Sequence, residues 1–242
     1  MVRNGSIVAV AADIDGTITE DGGRISLKAF LAVRRLVRLG VQVFFVSARD
    51  PASTMTVSAL LGASGYAVAE GGGVLVRLAE RRIEVFKVLG DRRISLRAVE
   101  VLRRHFGGRV KELAFPVRFV DVALERSFPL EEAAEVLDKS RVKVRIMDSG
   151  YAYHVAPRDV NKGRGLKALL ESLNIEAAEV AAVGDSLQDL EMFRVAGFSV
   201  ALANAPEELR MEADAVASKP YGLGFAEAVN IILEKFWGLK VF

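Results

Sequence analysis

Two acidic side chains follow the first apolar run of the sequence, with one residue between them. Residues 7–12 lead directly into Asp13 and Asp15, and a glycine and a threonine come next. In an open α/β sheet, ligands bind beyond the carboxyl ends of the strands. Two carboxylates held at such a place repel each other, so they need a cation or a proton between them. A plain turn would explain one acid and the glycine, but it leaves the second acid unexplained.

A second pair of acids follows another apolar run. Residues 180–183 lead into Gly184 and Asp185, and Asp189 comes one helical turn later. At that spacing Asp189 faces the same way as Asp185, whose carboxylate is suited to a hard cation. The alternative is that Asp185 or Ser186 only caps the next helix, although a cap needs just one of them.

A hydroxyl and a lysine mark two further points of the same pattern. Ser47 follows the apolar run 41–46, where a small hydroxyl and exposed backbone N–H groups can hold phosphate oxygens. Lys162 stands at the start of a predicted helix, where its charge has the wrong sign for the helix dipole. Taken alone, Ser47 fits a simple loop and Lys162 fits a solvated side chain. Together with the acids they predict one site at one edge of a sheet, with oxygen ligands that select Mg²⁺.

The composition removes several other chemistries. The 242 residues include no cysteine and only two histidines, His105 and His154. Disulfides, thiolate nucleophiles and thiolate metal sites are therefore excluded, and a zinc site of several histidines is hard to build. The formal net charge of +2 is too small to indicate a nucleic-acid partner. Because no apolar run is long enough to cross a bilayer, we expect a cytoplasmic protein without a membrane partner.

The outer parts of the chain have the pattern of a parallel sheet. Strands predicted at 7–12, 41–46 and 66–69 alternate with helices that begin near Ser26 and Pro51, which is the β-α-β-α-β order of a doubly wound sheet. The same alternation returns from Lys162 onward, through strands at 180–183 and 198–201 to a last helix at about 225–236. The predicted fold class is therefore α/β, with a doubly wound, Rossmann-like parallel-sheet core.

The middle of the chain has a different pattern, which predicts an inserted α+β cap domain. We predict a hairpin at 74–77 and 83–86, helices at 94–106 and 130–138, and strands at 117–124, 142–146 and 151–155. Residues 1–85 and 158–242 are assigned to the core domain and residues 86–157 to the cap. Residues 86–158 carry 15 lysines and arginines against 10 acids. A basic cap over an acidic core suits capture of an anion, although ordinary solvated surface is the alternative.

The order and spacing of these motifs resemble those of the haloacid dehalogenase-type phosphatases. Four segments are similar to the four motifs of that family, in order: Asp13-x-Asp15-Gly16-Thr17, Ser47, Lys162, and Gly184-Asp185-Ser186 with Asp189. The segment around Asn204 and the inserted cap resemble the Cof-like branch with its type IIB caps. The length and the compact cap look most like archaeal phosphoglycolate phosphatases. Gln188 and Gly71 depart from the family, which often has asparagine at these two places.

The resemblance implies a mechanism for the acidic residues. Asp13 is implied as the nucleophile that forms a phospho-aspartate, and Asp15 as the general acid and then the general base. The implied Mg²⁺ ligands are the Asp13 carboxylate, the Asp15 backbone carbonyl and Asp185. Asp189 is implied as a further metal-site residue, either as a ligand or in support of the ligands.

The resemblance also implies a substrate class and the residues that bind it. Ser47, Lys162 and Asn204 are implied as substrate-binding residues, and an arginine of the cap as the partner of a second anionic group. The implied substrate is a small phosphorylated metabolite, 2-phosphoglycolate. A sugar-phosphate phosphatase or a phosphohexomutase is the alternative, and a regulatory module that binds phosphate or Mg²⁺ without turnover is a third reading. Asp15 argues against the module, which needs no second acid. The oligomeric state stays open, with a homodimer as one alternative.

Overall fold

The computed structural model describes residues 7–113 and 117–239. Its strands are β1 (Ala9–Ala12), β2 (Gln42–Val46), β3 (Tyr66–Ala69), β4 (Val74–Ala79), β5 (Arg82–Val88), β6 (Val122–Leu124), β7 (Val144–Asp148), β8 (Tyr153–Pro157), β9 (Val180–Gly184), β10 (Phe198–Ala201) and β11 (Ala215–Val216). Its α-helices are α1 (Leu27–Arg38), α2 (Pro51–Leu61), α3 (Arg92–Phe106), α4 (Leu130–Lys139), α5 (Lys162–Leu173), α6 (Leu190–Val195), α7 (Glu207–Glu212) and α8 (Tyr221–Trp237).

The larger sheet has eight strands in the order β11-β10-β9-β1-β2-β3-β4-β5. Neighbouring strands from β11 to β3 are parallel, with β1 paired to β2 on one side and to β9 on the other. The predicted hairpin forms β4 and β5, which extend this sheet as antiparallel strands along its edge. The strand order therefore confirms the predicted doubly wound α/β core, in which β1 lies near the centre.

Helices cover both faces of this sheet. The buried face of α1 and the apolar side of α8 pack on one face with Val10, Val43 and Val183. Helices α5 and α6 pack on the other face with Ala9, Ala11 and Phe44 and other strand residues. Successive strand residues point to opposite faces, so a strand covered on both sides has to be apolar throughout. This burial explains the uninterrupted apolar runs of the sequence.

A separate sheet of three antiparallel strands forms in the middle of the chain, in the order β6-β8-β7. Helices α3 and α4 pack against it around a second apolar core that includes Leu102, Phe106, Phe128 and Leu137. The structure thus confirms an inserted α+β cap beside the α/β core.

Most predicted elements form where the sequence placed them, and α2, β3, α5 and β10 have the predicted bounds. The strand predicted at 117–124 is shorter and covers only β6. Its first part is held differently, because the Glu70 carboxylate accepts hydrogen bonds from the backbone N–H groups of residues 119–121. The helix predicted from Leu187 begins as a 3₁₀ turn, Leu187–Asp189, before α6. The sequence analysis did not predict α7 and β11.

The helices of residues 7–113 and 117–239 were also compared with the requirements of a bilayer. None of them is both long enough and apolar enough to cross it.

Candidate active site

The carboxyl ends of three adjacent strands bring the predicted site residues together. Ala12 of β1 lies in register with Phe45 of β2 and Val183 of β9. Asp13, Ser47 and Asp185 follow these strands within two residues of those positions. The parallel register thus turns residues far apart in the chain into one cluster at one sheet edge, as the sequence predicted.

Lys162 is the buried cation of this cluster. Its Nζ lies 2.9 Å from Asp13 Oδ1 and 2.6 Å from Asp189 Oδ1, and its side chain is 3% exposed. Burial disfavours the ammonium, but Asp13 and Asp189 outweigh this effect and raise the pKa of Lys162 above its ordinary value. The lysine at the first position of α5 is therefore charged and paired, and the reading of a solvated side chain is wrong.

Three carboxylates crowd around this single ammonium. Ligand oxygens of Asp13, Asp185 and Asp189 lie within 4.8 Å of one another. Burial and the neighbouring acids raise the pKa of Asp13 well above its ordinary value, although Lys162 opposes the shift. Burial, followed by the charge of Asp189, raises the pKa of Asp185 to about 7. Such an excess of negative charge in a buried place is favourable for a bound cation.

Asp189 differs from the other two acids in how its oxygens are used. Oδ1 accepts from Lys162, and Oδ2 accepts from the backbone N–H groups of Asp185 and Ser186 at 3.0 and 2.9 Å. The Ser186 hydroxyl adds a fourth hydrogen bond at 3.1 Å. Because its oxygens are engaged in this way, Asp189 is placed to orient Lys162 and Asp185. Of the two alternatives for Asp189, this geometry favours support of the metal ligands.

Asp185 is held by two neutral side chains. The Thr17 hydroxyl donates to Oδ1 at 2.6 Å, and the Asn204 amide donates to Oδ2 at 2.9 Å. Gly16 passes directly beside this carboxylate at a φ of +82°, and a Cβ there would lie 2.1 Å from Asp185 Oδ2. The glycine after the two first acids is therefore required by this close approach.

Asn204 lies behind the carboxylates and not at the cavity that they border. Its Nδ2 also donates to the Gly16 carbonyl at 3.0 Å, and its Oδ1 accepts from the Tyr221 N–H at 2.9 Å. The amide is thus fully used in holding Asp185 and the first motif. Asn204 was predicted as a substrate-binding residue, and this geometry instead gives it the orienting role.

Asp15 is paired with an arginine that the sequence analysis passed over. Arg49 donates to the two carboxylate oxygens of Asp15 through Nε at 2.7 Å and Nη2 at 2.5 Å. Such a two-pronged contact fixes both the position and the plane of a carboxylate. Arg49 comes two residues after Ser47 at the end of β2, and that position was the available signal. The Ser47 hydroxyl in turn accepts from the Arg49 N–H at 3.2 Å.

A cavity of about 280 Å³ opens over these groups. On the core side Asp13, Asp15, Ser47, Arg49 and Lys162 border it, together with Gly16, Ala48, Asp185, Ser186 and Gln188. On the cap side it is bordered by Asp148, Ser149 and Tyr151. Gln188, which departs from the family pattern, reaches across and donates to the Asp148 carbonyl at 3.3 Å.

The cations at this cavity come from the core. Among the described residues that border it, Arg49 and Lys162 are the positively charged ones, and no cap arginine is included. The expectation that a cap arginine meets the substrate is therefore not met. The basic residues of the cap are largely engaged elsewhere, for example Arg103 with Glu112 and Arg158 with Asp138.

Comparisons with known proteins agree with this geometry. A protein named phosphoglycolate phosphatase from Methanothermobacter thermautotrophicus is 43% identical over 225 residues, covering 92% of this chain and 97% of that protein. One of the same name from Archaeoglobus fulgidus is 38% identical over 224 residues, covering 93% and 96%.

Solved structures and a family match complete the comparison. A Thermoplasma acidophilum structure has a TM-score of 0.81 at 22% identity and covers 97% of this chain and all of its own. A haloacid dehalogenase-like hydrolase from Bacteroides thetaiotaomicron has a TM-score of 0.74 at 19% identity, covering 93% and 98%. The haloacid dehalogenase-like hydrolases as a family match residues 10–109 and 127–229. The chain belongs to the haloacid dehalogenase-like hydrolase family.

Proposed function

We propose that this hydrolase is a Mg²⁺-dependent phosphatase of small phosphate monoesters, with 2-phosphoglycolate as its substrate. The observation that carries the proposal is the small cavity in which Asp13, Lys162 and Ser47 meet Asp15 and Arg49. The relatives named phosphoglycolate phosphatase, which are 38% and 43% identical over nearly the whole chain, support the choice of substrate.

The proposed first step is attack of the Asp13 carboxylate on phosphorus. The bond between phosphorus and the ester oxygen breaks, and Asp15 gives its proton to the leaving alkoxide. Lys162 sits against Asp13 and faces the same cavity, so its charge can offset the charge of the phosphoryl oxygens. Water then attacks the phospho-aspartate while Asp15 takes its proton, and phosphate and free Asp13 are released.

The donor set fits a hard divalent cation. Asp13 and Asp185 have carboxylate oxygens close together at the cavity, and Mg²⁺ prefers such oxygen ligands. We propose that Asp13, the Asp15 backbone carbonyl and Asp185 hold Mg²⁺, with Asp189 orienting them. When bound, the ion would offset the charge of the nucleophile and of the phosphoryl group.

The size and charge of the cavity support 2-phosphoglycolate over larger esters. A volume of about 280 Å³ is at the low end for ligand sites, so it suits a small metabolite better than a nucleotide. With Lys162 beside Asp13, Arg49 is the remaining cation among the described lining residues, and we propose that it meets the distal carboxylate. An ester that lacks this carboxylate leaves Arg49 without its second partner.

The second candidate is a sugar-phosphate phosphatase. Its support is the cap wall of the cavity, where Asp148, Ser149 and Tyr151 offer groups that hydrogen-bond sugar hydroxyls. A phosphohexomutase would use the same wall, but it must retain the phosphoryl group for a second sugar.

We also propose that the cap works as a lid. The structure continues β5 through Val88, so the lid in this proposal begins after Val88 and not at the expected residue 86. The cytoplasmic location and the homodimer stay predictions.

A panel of phosphate monoesters tests the proposal. With saturating Mg²⁺, kcat/KM is measured for 2-phosphoglycolate, ethyl phosphate, a hexose 6-phosphate and a nucleoside monophosphate. We expect 2-phosphoglycolate to exceed ethyl phosphate by about ten- to a hundredfold, because a buried cation otherwise loses a partner. Equal values for these two esters would refute recognition of the carboxylate, and a preference for the hexose phosphate would establish the second candidate.

A further inference from the structure

A chain of buried polar side chains runs beside the cavity without bordering it. Glu70, Arg118, Asp121 and His154 are between 1% and 6% exposed. None of them takes part in the proposed mechanism. Charged groups are costly to bury unless they are paired, so a chain of this kind calls for a reason.

One end of the chain is fixed to the core. Glu70 follows β3, and its carboxylate accepts from the backbone N–H groups of Phe119, Val120 and Asp121 at 2.8, 2.8 and 2.9 Å. Its φ of +51° is a left-handed conformation that is unfavourable for a residue with a side chain. The core therefore holds the segment before β6 at a defined place, at a local conformational cost.

The middle of the chain centres on the Asp121 carboxylate. Arg118 Nη1 lies 2.6 and 2.8 Å from its two oxygens, and His154 Nδ1 lies 2.7 Å from Oδ2. An ionised carboxylate only accepts hydrogen bonds, so Nδ1 carries the proton of the bond to Asp121. This contact fixes the orientation of the imidazole ring on β8.

The other end of the chain reaches the cavity. His154 Nε2 lies 3.1 Å from the Ser149 hydroxyl, and Ser149 is one of the cap residues that border the cavity. The hydroxyl also lies 3.1 Å from the Ala152 carbonyl within the same turn. Ser149 is thus the point at which the buried chain meets the space available to a substrate.

We propose that His154 is a positioning residue for substrate recognition, which holds the Ser149 hydroxyl against the end of the substrate remote from phosphorus. The inference rests on the proposed phosphatase function. The phosphorus end is assigned to the core wall with Asp13, Lys162 and Ser47, so the remote end faces the cap wall. The cap then recognises an anionic or hydroxylated remote end through an oriented neutral hydroxyl and not through one of its arginines.

Two substitutions of His154 separate the two hydrogen bonds of the ring. The amide of asparagine reaches about as far as Nδ1, and that of glutamine about as far as Nε2. His154→Asn can thus keep the contact with Asp121 but not with Ser149, whereas His154→Gln can keep the contact with Ser149. His105→Asn is the matched control, because His105 lies on the surface of the same cap and pairs with Glu132.

The experiment measures kcat and KM for 2-phosphoglycolate and for ethyl phosphate, which lacks the remote carboxylate. We expect His154→Asn to raise KM for 2-phosphoglycolate about tenfold, as for the loss of one hydrogen bond to a charged group, with kcat changed less than about twofold. His154→Gln should stay within about threefold of wild type, and His105→Asn should match it. Ethyl phosphate should be hydrolysed with kcat/KM changed less than about twofold in all three variants.

A double-mutant cycle with Ser149→Ala completes the test. The single change Ser149→Ala should raise KM as much as His154→Asn does, and the double variant should be no worse than either single one. Ser149 lies in a turn at the cavity, so Ser149→Ala still tests the inference if a His154 variant does not fold.

Three results would overturn the inference: equal losses on both esters, no advantage of glutamine over asparagine, or additive effects of the two substitutions. Failure of the proposed function is distinguishable, because it would appear already in the wild-type protein as no turnover of any monoester. If the wild type prefers a hexose phosphate, the same cycle is measured on that ester.

Discussion

Two clusters of buried charge lie close to the cavity, and they are balanced in opposite ways. The strand-end cluster gathers the three carboxylates of Asp13, Asp185 and Asp189 around one ammonium, that of Lys162. The buried chain of Glu70, Arg118, Asp121 and His154 has two carboxylates, one guanidinium and one imidazole. The first cluster has an excess of negative charge, whereas the second is close to neutrality within its own side chains.

The carboxyl pKa values follow this difference. In the strand-end cluster, burial and neighbouring acids raise the pKa of Asp13 and Asp185. In the buried chain, burial would raise the pKa of Asp121, but the hydrogen bond from His154 and the charge of Arg118 outweigh it and the pKa is lowered. An acid with its own partners stabilises the fold, while acids without enough partners indicate a site that takes up a cation.

The largest expected effect comes from removing one acid of the unbalanced cluster. Asp13→Asn keeps the shape of the side chain but removes the nucleophile, so kcat should fall by about a thousandfold or more. The measurement is turnover of 2-phosphoglycolate, with the melting temperature as the control for folding. A folded variant with a substantial fraction of wild-type kcat would show that Asp13 is not the nucleophile.

Metal removal tests the excess of negative charge directly. Activity should disappear in EDTA and return with Mg²⁺, because the carboxylates at the cavity then lack their cation. Asp185→Ala should raise the Mg²⁺ concentration at half-maximal rate by about ten- to a hundredfold. Full activity in chelator, with metal shown to be absent by elemental analysis, would contradict the metal assignment.

Glu70 offers a test of the second cluster through pH. Burial, followed by the charge of Asp121, raises its pKa from 4.5 to about 7, against three backbone hydrogen bonds that lower it. The folded chain therefore keeps the proton that the unfolded chain releases near pH 4.5. The contribution of this shift to stability is fully present below pH 4.5 and is lost as pH rises to about 7, by on the order of 2–3 kcal/mol.

The measurement compares the free energy of unfolding of the wild type and of Glu70→Gln between pH 4.5 and 8 in saturating Mg²⁺. The wild type should lose stability relative to the variant as pH rises through this window. Parallel curves would mean that Glu70 does not titrate there. Kinetic constants of Glu70→Gln should change mainly in KM, since Glu70 does not border the cavity.

The smallest expected effect sets the scale for both clusters. Arg103 pairs with Glu112 on the cap surface, where the two side chains are 41% and 35% exposed. Arg103→Met should change the free energy of unfolding by less than about 1 kcal/mol, because solvent screens an exposed pair. Urea denaturation of this variant provides the check. A loss as large as that of a buried pair would remove exposure as the basis of the comparison.

The sequence by itself determined the core fold and most of the site. A strand buried on both faces has to be apolar, so each apolar run ending in Asp13, Ser47 or Gly184 reported both a strand and the residue at its carboxyl end. Parallel register then brings such ends together without further information. The same local logic predicted the bounds of α2, β3, α5 and β10.

Only the tertiary structure decided which side chains pair over long distances. The contact of Arg49 with Asp15, the use of Asn204 behind Asp185 and the cap wall at Ser149 depend on approaches that no local period encodes. Glu70 gives the clearest case, because residues 119–121 have a strand-like sequence, yet their N–H groups bond to this distant carboxylate and not to a neighbouring strand. Hydrogen bonds of this kind are chosen by the geometry of the packed chain, since an unpaired buried donor would cost more than a short loss of strand.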